Sequence, residues 1–356
     1  ACCILPASSL HPTTGLSWVQ QCRSISLETQ ARLILLPHSP SIGKLRTELD
    51  DSIPSGFWAR REVSMKKSTV FDIKAGIMFA LPGLLVFFLV VIIPFVYGFY
   101  LTFTDWNGVS QVKSFVGIRN YIDTFKDTEF WSSMWLTLRY VLISVLLVNI
   151  VAFFLAYLLS NGIKGQNFFR AGFFTPNLIG GVVLGFIWKF IFSNVFTAIG
   201  KSLGAEWLSK SMLSAPKTAY FALILVTVWQ LAGYMMLIYI AGFTGLSHDV
   251  LEAASIDGAT GMRRMRSIIL PLMVPSFVIC IFLTLSRTFM VYDLNLTLTK
   301  GGPYASTRLV AMHVYEKAFT SRNYGVGQSE ALFLFVVVAI ISGIQVWMGR
   351  KKEVAA

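Results

Sequence analysis

Glu252-Ala253-Ala254-Ser255-Ile256-Asp257-Gly258-Ala259, followed after a basic run by Ile268-Ile269-Leu270-Pro271, is the stretch from which the rest of the chain is read. It lies between long apolar segments, and so predicts a water-exposed loop inside a membrane protein. The stretch predicts two short helices around a glycine turn; Asp249 stands three residues before Glu252, the spacing of a capping box, which marks the start of the first. Gly258 suits the end of that helix, because a left-handed conformation there costs glycine nothing. Leu251, Ala254 and Gly258 fall three and four apart, on one face. That face is nearly flat and suits close approach by another surface; the alternative is an ordinary amphipathic loop helix.

Composition agrees with a membrane setting. Hydrophobic residues make up 55% of the chain and charged ones 13%, against roughly 25% charge in a soluble domain. The net charge of +12 could suggest nucleic acid, but the lysines and arginines are scattered between apolar runs rather than gathered on one face, which excludes that partner. Cys2, Cys3, Cys22 and Cys280 have no paired metal-ligand spacing, so neither a disulfide nor a zinc site is expected. Gly200-Lys201-Ser202 resembles a nucleotide-binding loop, but Val195 stands where its first glycine is required, and no phosphate cradle follows.

Outward from the quoted loop, apolar runs predict an all-α integral membrane protein with six transmembrane helices, at about 75–103, 140–160, 171–192, 219–243, 270–289 and 329–348. The first contains Pro82 and Pro94, tolerated where neighbouring helices satisfy the freed backbone groups. The third carries Gly181 and Gly185 four apart, a small-residue face for close packing. Residues 1–64 mix Pro, Ser and Cys without helical or strand period and contain no apolar run long enough for a signal segment. They are expected to be a non-native or disordered leader ahead of a true start at Met65; a transit peptide is the alternative. The domain proper is then 65–356.

Six spans put both termini on one side. That side carries Lys66, Lys67, Lys74, Lys164, Arg170, Arg263, Arg264, Arg266, Arg350, Lys351 and Lys352, roughly twice the basic density of the opposite loops. The positive-inside rule makes it cytoplasmic, with the quoted loop. His248 and His313 fall on opposite predicted sides, and no His pair has metal spacing, so no catalytic or metal site is expected. Arg287 in the fifth span and Glu330 opening the sixth are the costly charges, at about 2.5–3.5 kcal/mol or more at the bilayer centre. Trp229, Gln230, Tyr234, Ser286 and Asn295 are candidate lining of a substrate cavity, because sugars are held by aromatic faces and by amide or hydroxyl rims. The alternative is that Trp and Tyr anchor the interface and Gln230 bonds a neighbouring helix.

The Glu-Ala-Ala pattern, Gly258 four residues beyond Ala254, and Ile268, Leu270 and Pro271 resemble the signature loop of permease subunits in binding-protein-dependent ABC importers. The resemblance runs from Met65 to the C-terminus. Leu298-Thr299-Lys300-Gly301-Gly302-Pro303, with Thr307, is similar to the loop before the last span in carbohydrate-importing members. It implies a coupling helix docking on a cytoplasmic ATPase through Glu252, Ala253, Ala254, Asp257 and Gly258, and an outer gate around Thr299, Gly301, Gly302 and Pro303. It also implies partners: a second permease subunit, two ATPase subunits that bind ATP and magnesium in place of this chain, and an extracytoplasmic binding protein delivering a carbohydrate to a bacterial-type inner membrane. A stand-alone secondary transporter is the competing reading. It would show an internal repeat and an intramembrane carboxylate relay, and the sequence has no evident repeat.

Overall fold

The computed structural model describes residues 78–160 and 162–351. The expected leader, the Met65 start and the last residues of the tail lie outside them. Among the described residues the chain is helical, with a lone β-bridge between Thr104 and Phe115. Its helices are α1 (Met78–Leu101), α2 (Arg119–Lys126), α3 (Thr128–Ser160), α4 (Gln166–Leu178), α5 (Gly181–Leu203), α6 (Pro216–Thr244), α7 (His248–Ile256), α8 (Gly261–Leu272), α9 (Val274–Phe289) and α10 (Asp293–Leu298). They are followed by α11, which is Val310–Tyr315 extended by a π turn over Glu316–Thr320, and by α12 (Tyr324–Arg350). Helices α1, α3, α5, α6 and α12 are long and apolar enough to cross a membrane, and α8 with α9 makes a sixth crossing bent by 68°.

Prolines and glycines explain the irregularities. Pro94 lacks the N–H that would bond back to Val90, and the π turn Phe88–Ile92 immediately before it absorbs the defect without breaking α1. The expected third span at 171–192 is corrected: the chain breaks at Ile179–Gly180, and the crossing helix is α5. Gly180 is extended, with ψ 143°, and Gln230 of α6 donates to the Ile179 carbonyl at 3.2 Å, satisfying a backbone group that the break frees. The fifth span is also corrected. Pro271 and Pro275 flank Met273, where the helix bends between α8 and α9.

The second span begins at Thr128 rather than near residue 140. Asp127 caps it, its Oδ1 accepting from the N–H groups of Glu129 at 2.9 Å and Phe130 at 3.1 Å. The first turns of α3 then bury Phe130, Ser133, Met134 and Thr137 despite their mixed polarity.

Lipid tails are as apolar as leucine, so association of α3 with α6 rests on close packing and on buried hydrogen bonds of about 1 kcal/mol each. Val148, Ala152 and Ala156 of α3 meet Leu231, Ala232, Met235, Met236 and Tyr239 of α6 in one cluster. Tyr140 and Thr227 share a hydroxyl contact of 2.5 Å, and Tyr239 donates to Asn149 at 2.7 Å. α4 crosses α6 at Gly233, where an added Cβ would stand 1.8 Å from the Phe173 carbonyl oxygen. The Gly181 and Gly185 face packs as expected, against α10: a Cβ on Gly185 would fall 1.8 Å from Thr297 Oγ1.

Candidate functional site

The signature loop folds as two helices, α7 and α8, around a glycine turn at Gly258, and the start of α7 differs from expectation. Ser247 is the N-cap and Asp249 lies inside the first turn, with no side-chain capping bond. Glu252 instead pairs with His248 at 3.1 Å across one turn, with both groups largely exposed. The end is as expected. Gly258 takes φ +76°; its N–H bonds to the Ser255 carbonyl at 3.2 Å, and the N–H of Ala259 bonds to the Ala254 carbonyl at 2.9 Å. This pair of bonds is the Schellman arrangement, and it needs a left-handed residue at Gly258.

Two members of the flat face, Leu251 and Ala254, turn inward, and the third, Gly258, is exposed. Ala254 is buried, and Leu251 packs against the cluster that holds the ends of α3 and α6. The other side of α7, with Glu252, Ala253, Asp257 and Ile256, is exposed, the last to 87%. Ile268, Leu270 and Pro271 are half-buried where the loop re-enters the bundle, and Ile269 between them is buried.

The second candidate region, 299–309, is held around Asn295. That side chain is fully buried. Its Nδ2 donates to the Thr307 carbonyl at 2.7 Å and to Thr299 Oγ1 at 3.0 Å, and its Oδ1 accepts from the N–H of Leu309 at 3.2 Å. Thr307 Oγ1 in turn lies 2.8 Å from both the Gly302 carbonyl and Thr299 Oγ1, either of which accepts its single proton. Asn295 therefore belongs to this loop and not to a substrate cavity. Gly301 takes a positive φ, +74°, and Gly302 does not. Tyr304, 94% exposed, stands at the tip.

The remaining cavity candidates divide. Gln230 lines a cleft of about 240 Å³ together with Thr227, Arg287, Tyr292 and Asp293. Trp229 faces a separate groove of about 770 Å³, walled almost entirely by apolar residues of α3, α4 and α6. Tyr234 and half-buried Ser286 line neither. Tyr234 lies beneath Arg287, whose guanidinium sits 4.6 Å from the ring centroid and donates to Asn177 Oδ1 at 2.8 Å. The polar wall of the cleft thus comes from Gln230, Arg287, Asp293 and Tyr292, whose hydroxyl pKa burial, with Tyr315 beside it, pushes up to about 12. Arg287 was visible in the sequence as a charge within a span; Asp293 and Tyr292 carried no signal, since they follow that span at the cap and first residue of α10.

The chain matches known proteins along most of its length. Residues 52–354 match the family described as binding-protein-dependent transport system inner membrane component. The chain is 41% identical over 292 residues, 81% of its length and 99% of the relative's, to the probable starch degradation products transport system permease protein AmyD of Thermoanaerobacterium thermosulfurigenes. It is 33% identical over 261 residues, 73% of its length and 90% of the relative's, to the multiple sugar-binding transport system permease protein MsmF of Streptococcus mutans. In fold it is similar to a chain of a bacterial ABC transporter involved in the import of the acidic polysaccharide alginate, with TM-score 0.67 at 18% identity over 82% of this chain and 99% of that one. With α7 closing on its signature glycine, and with a match over nearly all of its described residues, this chain belongs to the family of binding-protein-dependent transport system inner membrane components.

Proposed function

We propose that the chain is one of two permease subunits of an ATP-driven carbohydrate importer, and that α7 is its contact with a cytoplasmic ATPase. The observation that carries this reading is the geometry of α7: a short helix anchored inward by Leu251 and Ala254, ended by Gly258, and presenting Ala253, Ile256 and Asp257 outward. The basic loops support the cytoplasmic placement of that helix. The relatives named for starch degradation products and for multiple sugars support oligosaccharide as the substrate class. A solved relative of the same fold in complex with an alginate pentasaccharide-bound periplasmic protein supports delivery by an extracytoplasmic binding protein, received by the loop 299–309.

In this reading ATP and magnesium bind the partner ATPases, and the permease only changes shape. Shifting its inward and outward states from 1:99 to 99:1 requires about 5.5 kcal/mol of differential binding. ATP closure of the ATPase pair supplies it through α7, and the cleft at Gln230 and Arg287 is exposed alternately to each side. Uptake of labelled starch-derived oligosaccharide into vesicles holding both permeases is the test. Uptake that requires the ATPase subunits, binding protein and ATP is expected; uptake driven by an ion gradient without ATPase would refute the reading.

A further inference from the structure

His313 of α11 lies between two carboxylates that arrive from distant parts of the chain. Its Nε2 is 3.5 Å from Glu330 Oε2 on α12 and 3.9 Å from Asp127 Oδ2 at the cap of α3. These three ligand atoms all fall within 4.8 Å of one another. The group is deeply enclosed: the side chain of Glu330 is 0% exposed, that of His313 4% and that of Asp127 12%.

The spacing matters more than the proximity. A direct hydrogen bond between these atoms would bring nitrogen and oxygen to about 2.7–3.2 Å, and neither pair reaches it. Accordingly His313 Nε2 and both oxygens of Glu330 have no hydrogen-bond partner. A buried carboxylate left in that condition is costly unless something else satisfies it. Ligands of a tetrahedral ion with bonds of about 2.1 Å stand about 3.4 Å apart; the Glu330 separation of 3.5 Å is at that spacing, and the Asp127 separation of 3.9 Å is a small side-chain adjustment from it. Asp127 is suited to share one oxygen, because its Oδ1 is already committed to capping α3.

We propose that Asp127, His313 and Glu330 form a binding site for a divalent transition metal of the zinc class, joining the start of α3 to α11 and α12. One imidazole and two carboxylates are a donor set that zinc accepts, with the fourth position left to water. Lys317 is the built-in competitor. Its ammonium lies 2.5 Å from Asp127 Oδ2, on a side chain 28% exposed, so it has room to swing outward when the ion takes that oxygen. The site stands at the far end of α3 from α7, since a 33-residue helix is about 50 Å long. Metal occupancy there holds the base of the 299–309 loop's return path, and α7 does not touch it.

Purified permease complex, dialysed against zinc and then against metal-free buffer, is assayed by elemental analysis, by thermal unfolding with and without zinc, and by the visible absorption of cobalt substituted for zinc. Stoichiometric retention, a raised unfolding midpoint and a cobalt ligand-field band are expected of the native chain. His313→Gln should lose all three, and Glu330→Gln should bind at least about tenfold more weakly. Lys317→Gln keeps every ligand and removes the competing cation, so its binding should shift to lower zinc concentration, which keeps the test decisive where the ligand variants fail to assemble. Absence of retained metal and of the cobalt band from both the native chain and Lys317→Gln overturns the proposal. So does equal retention by His313→Gln, which would put the metal elsewhere.

Discussion

Replacing Gly258 by alanine separates conformation from bulk at the end of α7. Nothing lies within 4 Å of a Cβ added there, so an alanine meets no steric obstacle within the subunit. Its cost comes from the backbone: φ is +76°, and a residue bearing a Cβ loses about 1–2 kcal/mol in the left-handed region. That penalty falls on the Schellman closure made by the N–H groups of Gly258 and Ala259, and it lowers the population of the closed helix end by a factor of about 5–30. ATPase co-purification and ATP-dependent uptake should drop by the same order in Gly258→Ala, while permease yield stays unchanged. Gly258→Asn should recover most of the loss, because asparagine tolerates the left-handed region. An asparagine variant as defective as alanine, or an alanine variant with full coupling, would refute the argument that this backbone conformation is what the partner requires.

Gly233→Ala should destabilise the subunit by more than about 2 kcal/mol, since its Cβ would stand 1.8 Å from the Phe173 carbonyl oxygen; lower yield and an earlier unfolding midpoint are the readouts. Asn295→Ala leaves the Leu309 N–H and the Thr307 carbonyl without partners, at about 1–3 kcal/mol for each buried group. Uptake per assembled complex should fall while ATPase co-purification does not. Arg287→Gln removes a charged hydrogen bond to Asn177 and a cation over Tyr234, and should raise the KM for uptake about tenfold or more with assembly intact; an unchanged KM removes the cleft from the path.

The membrane character, the α7 loop and the glycine face at Gly181 and Gly185 were legible because each rests on local pattern: apolar length, a helix-ending glycine, a four-residue spacing. Boundaries failed where polarity misled. The second span was read as opening near residue 140, just after the charge of Arg139, yet the mixed turns below it bury one side and expose the other, and Arg139 itself sits 5.0 Å above the ring of Trp135. The break at Gly180 had a local cue in the Gly-Gly pair, but a 22-residue apolar run fits one span as well as two pieces. Side-chain roles were least legible. Asn295 and Gln230 both satisfy backbone groups brought close only by tertiary structure, and the meeting of Asp127, His313 and Glu330 joins three separate helices.

The inward face of α7 has a mechanical meaning. Leu251 rests on the same packed cluster as Ala156, Leu159, Tyr239 and Ile240, and protein interiors at crystal-like density barely compress. A push on α7 is therefore passed on as displacement rather than absorbed as strain, and the adjoining ends of α3 and α6 travel with it like the short arm of a lever. The compliance lies further along, at Met273, where two prolines have already removed the backbone bonds that would keep α8 and α9 straight. Stiffening that point, and not weakening the docking surface, is what would uncouple the two arms while leaving each intact.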